Sequence, residues 1–524
     1  MTLSLRSGVM LSLLGLAGGC AVGPNFHKPA PPKEAGYTTA PLPDKTTGSP
    51  GAAGDAQTFL MGRDVDYKWW EAFGSPQLNT LVERSFRANP TVRAAQAALR
   101  QAEEMVYAQE GYFFPSVSAD YNFERQKLAG NLAGSTAPGV QGNGTSIVAY
   151  QNPSPATTVH NQPLFYNFHT ATVTVGFVPD VFGANRRKVE SLEAQAEMQR
   201  FELEATYISL AANVVAAGIQ EASTRAQIKA THAIIQHNEK SVAILRDKVQ
   251  HGYASGVDLA SQELELAQAK ALLPPLHKQF EQNRDLIREL VGNLPDQDVS
   301  ETFEIESLEL PAELPVSVPS KLIEQRPDIR AAEANLRSAN ANVGVAIAAM
   351  LPAFNITGTA GGTATEFSQM FASGGPFWTL IGDVSQPIFQ GGTLWHTERA
   401  ARQALNEAAA QYQSTVLQAY ENVADTLHAV VIDADALTAA VAAEQAAKTA
   451  EDLAQRRLDT GYGDYLSELA AAMAYQQAVL NEVQARAMRL GDTAALYQAL
   501  GGGWWNRKAS PLAEGGRAAA GAAN

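Results

Sequence analysis

The sequence predicts a mainly α-helical chain with membrane-spanning β-strands, built as a tandem repeat. Three observations lead to this fold class. A 27-residue segment recurs later in the chain, two very long stretches contain almost no helix-breaking residue, and two windows are almost free of charged side chains. A segment that recurs at a fixed offset indicates that one structural unit is present twice.

The N-terminus predicts a signal peptide at residues 1–19. Arg6 supplies positive charge, and Val9 to Leu16 form an apolar run that is too short to span a bilayer as a helix. The run ends in Leu16-Ala17-Gly18-Gly19-Cys20. Small residues just before a cysteine resemble a lipoprotein processing site, so we expect a lipidated segment to begin at Cys20 and to extend to residue 65.

Cys20 is the only cysteine in the chain, so a disulfide within one subunit is impossible. Covalent lipid at Cys20 is the only non-protein group that we expect, and two acyl chains would anchor the chain firmly. Ala21 follows, rather than an aspartate, which in lipoproteins generally means delivery to the outer membrane. The alternative is a chance cysteine at the end of an ordinary signal peptide.

The recurring segment runs from Asn89 to Pro115 and again from Arg326 to Pro352, at an offset of 237 residues. Ten of its 27 positions are identical, which favours a true repeat over two merely alanine-rich helices. The later halves align at an offset of 209, so the first copy holds about 28 extra residues, which suggests a surface loop. The predicted division is a first repeat at 66–295, a linker at 296–318, a second repeat at 319–500, and a C-terminal segment with a disordered tail at 501–524.

Each repeat contains a very long predicted helix. Arg186–His251 contains no proline and one glycine, and Leu394–Thr460 contains neither. Both are rich in strong helix formers, and at about 1.5 Å per residue each would run on the order of 100 Å. Apolar or small residues recur along both at spacings of three and four, which favours coiled-coil packing.

Shorter predicted helices are Gln77–Gly111, Lys321–Ala349, Leu259–Val291 and Leu466–Leu500. The third of these contains Pro274-Pro275, which we expect to interrupt and kink it. Each repeat is then a helix, a pair of strands, a long helix and a returning helix.

Charged residues make up only 18% of the chain, and two windows of the sequence contain almost none of them. Leu128–Pro179 contains none, and Ser338–Gly382 contains only Glu366. Strand-like runs lie within or beside these windows, at Val117–Glu124, Ala171–Phe177, Phe354–Thr357 and Phe377–Ile381. An apolar face toward lipid and a polar face toward a lumen gives such a pattern in a membrane barrel.

Four strands are too few to close a barrel, since the smallest barrels have about eight, and lipid tolerates no open sheet edge. If these strands lie in a membrane, several subunits must therefore share one barrel. The pattern leaves the number of subunits open. It also leaves open the alternative that β-hairpins cap a helical rod in water.

Several motifs resemble the TolC-like family of outer-membrane efflux proteins, and the start of the mature chain resembles its OprM/NodT lipoprotein branch. The motifs are Val22-Gly23-Pro24-Asn25-Phe26, Trp69-Trp70 with Phe73, Asp180-Val181-Phe182-Gly183, Arg326-Pro327-Asp328-Ile329, Pro387 to Gly392, and Ala499 to Trp504. Gln325 departs from the pattern, because the family often has two arginines before that proline. The resemblance covers about Cys20 to Trp505.

The resemblance implies a homotrimer in the outer membrane of a Gram-negative bacterium. Each subunit would give four strands to a 12-stranded β-barrel, continued through the periplasm by a long α-helical coiled-coil barrel. A mixed belt would come from residues near 30–65, 296–318 and the C-terminal end, and Leu128–Asn167 and Glu366–Pro376 would be cell-surface loops. The implied function is passive efflux of drugs or other small toxic molecules, with a periplasmic adaptor protein and an inner-membrane pump as partners.

The long helices are expected to turn back at Gly252–Asp258 and Gly461–Tyr465, where Gly252 and Gly461 permit a left-handed backbone. In the family this end narrows, and rings of acidic residues form there. Asp464 is the main candidate for such a gate, with Tyr465 and Asp258 beside it, although relatives often place the acid where this chain has Gly463. The alternative is simple helix capping by Asp258 and Asp464. The adaptor is expected to bind the same turns.

No motif predicts an enzyme, a metal site or a cofactor. The nine histidines are scattered without metal-ligand spacing, and no nucleophile elbow or phosphate-binding loop is present. A net charge of −15 argues against nucleic acid as a partner. The alternatives to drug efflux are a protein-secretion channel, which the lipid anchor disfavours, and a non-conducting structural envelope lipoprotein, which the charge-free windows disfavour.

Overall fold

The computed structural model describes residues 21–31, 36–128 and 164–507. Its helices are α1 Pro76–Ala88, α2 Pro90–Glu110, α3 Ala184–Gln250, α4 Gly256–Leu290, α5 Pro319–Gln325, α6 Pro327–Ala348, α7 Thr393–Asp459 and α8 Tyr465–Ala499. Its strands are β1 Thr58–Met61, β2 Ser116–Leu128, β3 Leu164–Phe177, β4 Glu313–Val316, β5 Ala353–Ala364 and β6 Pro376–Ser385. The predicted signal peptide, Cys20, most of the predicted loop Leu128–Asn167 and the predicted tail after residue 507 lie outside the described residues.

The long helices and their returning partners have matching lengths in the two repeats. The long helices α3 and α7 each have 67 residues, and the returning helices α4 and α8 each have 35. The predicted interruption of α4 at Pro274-Pro275 is wrong, because the helix continues through both prolines. Lys270, Ala271 and both prolines are at least partly exposed, so water can bond the carbonyl groups that the prolines leave unpaired.

The helix that opens each repeat is divided at a proline, where the sequence pattern had predicted one continuous helix. Asn89 separates α1 from α2, and Arg326 separates α5 from α6. Both residues have extended backbone, with ψ of 127° and 123°. A residue before proline is sterically disfavoured in the helical region, which is why Pro90 and Pro327 begin new helices rather than continuing the old ones.

The residues before these prolines play equivalent parts in the two repeats. The Asn89 side-chain amide donates to the carbonyl of Leu290, the last residue of α4, over 2.9 Å. The Arg326 guanidinium donates to the carbonyl of Ala499, the last residue of α8, also over 2.9 Å. Each therefore satisfies a helix C-terminus that has no intrahelical partner for its carbonyl groups. The recurrence of this proline motif thus has a structural cause.

The four predicted strand regions form one antiparallel sheet in the order β2-β3-β5-β6. The hairpins β2–β3 and β5–β6 come from different repeats, and the β3–β5 pairing joins them, with His169 opposite Ala364 and Phe177 opposite Ile356. The predicted loop between β5 and β6 is confirmed, and it contains the short 3-10 helix Phe367–Gln369.

A second, smaller sheet joins two segments that are distant in sequence. β1 and β4 pair in parallel, from Thr58 opposite Glu313 to Met61 opposite Val316. Both strands lie in segments expected to contribute to the mixed belt. Leu314 and Val316 are fully buried, so this small sheet is part of a hydrophobic core.

The chain forms two compact units. The first comprises the described parts of Met1–His27, Gln101–Ala196 and Asn335–Ala408, and it contains the four-stranded sheet. The second comprises the described parts of Lys28–Arg100, Glu197–Ala334 and Ala409–Asn524, and it contains the small sheet and both returning helices. Each unit takes segments from both predicted repeats, so one compact unit does not correspond to one repeat.

The aromatic motif before α1 forms part of the core of the second unit. Trp69, Trp70 and Phe73 lie on a short 3-10 helix and are almost completely buried. The Trp69 ring stacks on Tyr497 of α8, with ring centroids 5.3 Å apart. The aromatic motif therefore packs the start of the first repeat against the end of the second.

Candidate functional site

One face of the four-stranded sheet is apolar on every strand. Residues directly opposite each other across paired strands point to the same side, so the register assigns the faces. The apolar face comprises Val117, Ala119, Tyr121, Phe123, Ala171, Val173, Val175, Ile356, Gly358, Ala360, Trp378 and Leu380. The polar exceptions on this face are Arg125, Lys127, Asn167 and His169, near the ends of β2 and β3 that are farther from the helices. The His169 Nδ1 lies 2.8 Å from the Tyr121 hydroxyl. Most of the large side chains on this face are exposed in one copy of the chain.

The opposite face of the sheet is polar. It comprises Ser118, Asp120, Asn122, Glu124, Thr170, Thr172, Thr174, Thr357, Thr359 and Thr363, with Phe168 on β3 and Phe377 and Ile381 on β6 as apolar exceptions. Threonine hydroxyls meet across the β3–β5 pairing, at 3.3 Å between Thr170 and Thr363 and at 3.4 Å between Thr174 and Thr359. The predicted alternation is confirmed, and it gives the sheet one surface suited to lipid and one suited to water.

The sheet is open at both sides. Within the described part of the chain, β2 pairs only with β3, and β6 pairs only with β5. The outer edges of β2 and β6 therefore carry backbone N–H and C=O groups without strand partners. Such groups need hydrogen-bond partners in a bilayer, where water is absent.

Exposed aromatic side chains flank the sheet at both ends. Near the strand ends that adjoin the helices they are Tyr112, Phe114, Phe389 and Trp395, and near the other ends they are Phe165, Phe367, Phe371 and Trp378. Aromatic side chains form girdles of this kind at the two interfaces of membrane barrels.

The turns between the long and returning helices have the same design in both repeats. Gly252 and Gly461 have left-handed backbone, with φ of 78° and 79°, as predicted. The next residue in each turn donates its N–H back to the helix, from Tyr253 to Lys248 over 2.8 Å and from Tyr462 to Arg457 over 3.0 Å. Both tyrosine side chains are exposed, so each turn presents an aromatic ring to its surroundings.

The two predicted gate acids cap the helices that follow the turns. Asp464 is the N-cap of α8, and its carboxylate accepts the Ser467 N–H over 2.8 Å and the Ser467 hydroxyl over 2.6 Å. Hydrogen bonds from Ser467 lower the pKa of Asp464. Asp258 belongs to a capping box with Ser255 at the start of α4. Capping is therefore one task of both acids, and an additional gating task stays a prediction.

Two buried acids beside these turns were not predicted from the sequence. Glu265 on α4 and Glu468 on α8 are 6% and 3% exposed, and burial raises the pKa of each, with neighbouring carboxylates adding to the effect at Glu468. Burial also raises the pKa of the nearby Tyr465, whose hydroxyl has no hydrogen-bond partner among the described residues. The sequence contained one signal for the burial of Glu265. Gln262, Glu265 and Ala269 recur at intervals of three and four, which places them on one face of α4, and all three are buried.

Metal binding has no support in the described ranges, where no group of three or more His, Cys, Asp or Glu side chains is placed to hold an ion.

Most of the chain matches a known family: the model for "Outer membrane efflux protein" matches residues 81–293 and 318–502. The chain belongs to this outer membrane efflux protein family. The family resemblance found in the sequence is confirmed.

Similar proteins extend over nearly the whole chain. Toluene efflux pump outer membrane protein TtgC of Pseudomonas putida is 27% identical over 95% of this chain and 96% of its own length. Pyoverdine export outer membrane protein OpmQ, also of Pseudomonas putida, is 27% identical over 84% of this chain and 88% of its own.

Solved structures share the fold. The outer-membrane channel OprN matches with a TM-score of 0.77 at 26% identity, covering 93% of this chain and all of that one. The Campylobacter jejuni outer membrane channel CmeC has a TM-score of 0.79 at 20% identity, covering 95% of this chain and 98% of that one, which bears on the fold alone. The protein is therefore an outer-membrane efflux component, a transport channel rather than an enzyme.

Proposed function

We propose that three copies of the chain close one 12-stranded barrel, through which small molecules leave the periplasm passively. The open four-stranded sheet, with one apolar and one polar face, carries this proposal. Successive strands alternate in direction, so β6 of one copy and β2 of the next would also run antiparallel. Three copies then give twelve strands without a change in the pattern, and closure removes the open edges.

The helical part of the chain also carries apolar surface that one copy leaves uncovered. An 18-residue stretch of α7 is strongly apolar, yet less than a third of it is buried. By length and composition alone α7 could cross a membrane, but a helix of 67 residues with coiled-coil spacing suits packing against neighbouring copies better. This surface supports a helical barrel that continues the strand barrel into the periplasm.

A lipid on Cys20 would fix the chain to the outer membrane. The proposal is supported by the small residues before Cys20, by the apolar run that precedes them, and by the absence of any other cysteine that would compete for this chemistry. Two acyl chains are enough for stable anchoring without a transmembrane helix.

The proposed cargo is drugs, solvents or other small toxic molecules. The relatives' names specify toluene for TtgC and pyoverdine for OpmQ, so this chain's own cargo is proposed at the level of that class. Energy would come from an inner-membrane pump, because the chain itself has no predicted nucleotide site. A periplasmic adaptor would dock on the two turns, where Tyr253 and Tyr462 are more than four-fifths exposed.

Two measurements on the purified protein test this function. They are its conductance in planar lipid bilayers and the mass of the protein assembly in detergent. We expect a mass of three lipidated chains and steps of ionic current. A trimer that never conducts would support the structural envelope lipoprotein instead.

A further measurement is the toluene and antibiotic tolerance of a strain that lacks its own outer-membrane duct. If this chain and its cognate adaptor and pump restore secretion of a protein but not tolerance, the secretion channel is the better assignment.

A further inference from the structure

An apolar groove lies in the first unit, where the strands of the sheet meet the long helices. Its volume is about 500 Å³, within the range of pockets that accept small ligands. Tyr112, Val178, Val181, Phe182, Leu351 and Phe354 are among the residues that line it. Tyr112, Val178 and Val181 are well exposed, so the groove presents apolar surface that is unfavourable in water.

The first described residues of the chain lie against the wall of this groove. The Val22 N–H donates to the carbonyl of Phe182, a lining residue, over 3.1 Å. Ala21 packs so closely on Gly183 that a Cβ added to this glycine would come within 2.6 Å of the Ala21 Cα. The described chain therefore begins beside the groove, at the residue that directly follows the proposed attachment point of the lipid.

The segment that follows Cys20 is held firmly in place. The buried Arg187 guanidinium donates to the carbonyl of Val22 over 3.0 Å and to the Asn25 side-chain oxygen over 2.8 Å. The Asn340 amide donates to the carbonyl of Pro24 over 3.0 Å. Gly23 faces Gly344 so closely that a side chain at either position would collide with backbone. The segment from Val22 to Asn25 is thus fixed on the first unit by these contacts.

We propose that one acyl chain of the lipid on Cys20 lies in this groove, so that the anchor is docked to the protein as well as inserted in the bilayer. The inference rests on the proposed lipidation. Attachment within one residue of the groove gives the acyl chain a high effective concentration there, which a free phospholipid lacks. A flexible apolar chain also matches a lining that is mostly aliphatic and aromatic. The remaining acyl chains of the anchor stay in the membrane.

Photocrosslinking tests the proposal on the full-length protein in cells. The cells are fed a palmitate analogue with a diazirine in its chain, and the trimer is irradiated in membranes, purified and digested. We expect crosslinked peptides that contain Val181 or Phe354. Ala349 lines the groove and is exposed, so Ala349→Trp should fill the groove and reduce those crosslinks at least fivefold. Ala108→Trp, an exposed position of α2 outside the groove, should leave them unchanged.

The two proposals fail in different ways. Mass spectrometry of the mature N-terminal peptide reports whether the analogue is attached to Cys20 at all, and its absence removes the lipid anchor. An attached analogue that crosslinks only to phospholipid, or to protein sites unaffected by Ala349→Trp, overturns the groove assignment while leaving the anchor intact. If a neighbouring copy of the chain fills the groove instead, the attached analogue will also fail to crosslink to the groove residues.

Discussion

Asp464 combines a structural task with a proposed gating task, and substitutions can separate the two. Its carboxylate caps α8 through Ser467, as the structure describes. Its charge, repeated in three copies, would bind cations and resist closure of a narrow lumen. An asparagine side chain caps helices about as well as aspartate, but it carries no charge.

We therefore predict different outcomes for Asp464→Asn and Asp464→Ala. The alanine variant should lose about 1 kcal/mol of helix stability, whereas the asparagine variant should keep the thermal midpoint of the parent. If the charge controls the gate, both variants should change single-channel conductance and the sensitivity of cells to large antibiotics. Ser255→Ala is the matched control, because it removes the N-cap side chain of the equivalent helix without changing a charge. Normal conductance in Asp464→Asn would leave capping as the only task of Asp464.

Two facing carboxyl groups in the second unit form a pH-sensitive pair. Asp433 on α7 lies beside Asp492 on α8, and a hydrogen bond between them requires one of the two to be protonated. Burial, reinforced by Asp492, raises the pKa of Asp433 to about 7, although Arg489 opposes the shift. An unfolded aspartate has a pKa of about 3.9, so between this pH and about 7 the folded state binds more protons than the unfolded state.

The sign of the pH dependence follows from that difference. The contribution of Asp433 to stability is fully present below about pH 4 and is lost as the pH rises through about 7. Asp433→Asn removes the titration, so its thermal midpoint should exceed that of the parent by more at pH 8 than at pH 5. Asp425→Asn, at a more accessible position of the same helix, serves as the control. Equal differences at both pH values would show that the pair does not share a proton.

At the residue scale the sequence predicted local features and missed long-range ones. Gly252 and Gly461 were predictable, because a turn that requires positive φ selects glycine within a few residues. The contact of Arg187 with Val22 was not, because it joins positions 165 residues apart. The buried Glu468 was missed for the same reason, since its burial depends on helices from distant parts of the chain.

At the scale of elements, the polarity of each sheet face determines what a substitution does. Leu380 and Thr379 are adjacent on β6, so their side chains point to opposite faces. An arginine on the lipid face of a barrel costs about 2–4 kcal/mol near the bilayer midplane, and substitutions on the lumen face mainly alter selectivity.

We predict that Leu380→Arg prevents stable assembly in the outer membrane and that Thr379→Arg permits it. The second variant should conduct with reduced cation preference, because its positive charge would line the lumen. The measurements are the amount of heat-sensitive trimer on a semi-native gel and the reversal potential across a salt gradient. The reverse pattern, with assembly lost only in Thr379→Arg, would exchange the assigned faces.

Helix periodicity predicted long elements more accurately than short ones. α3 and α7 begin and end within two residues of the predicted limits, because one repeating pattern extends over many turns. The helices that open the repeats were wrongly predicted to be continuous, since alanine-rich periodicity outweighed the steric effect of Pro90 and Pro327. β1 was not predicted, because a four-residue strand gives too little alternation and pairs with a segment about 250 residues away.

At the scale of the whole molecule, duplication and assembly are linked. Each compact unit takes segments from both repeats, and the central β3–β5 pairing joins hairpins from different repeats. The seam between copies, from β6 to β2, would then be a hairpin contact of the same antiparallel kind. The β3–β5 pairing within one copy is thus the same kind of contact that would join β6 of one copy to β2 of the next in the proposed barrel.

The seam can be tested directly, because Cys20 is the only natural cysteine and its sulfur would be occupied by lipid. In Ala119→Cys variants, a second cysteine is placed in turn at each β6 position from 377 to 383. Oxidation should produce covalent trimers, and no larger species, at alternate β6 positions, because side chains on a strand alternate between faces. Val173→Cys in place of Ala119→Cys is the control, since β3 already has a strand on each side. Absence of crosslinks at every position, or a ladder extending beyond three copies, would contradict a barrel closed by three subunits.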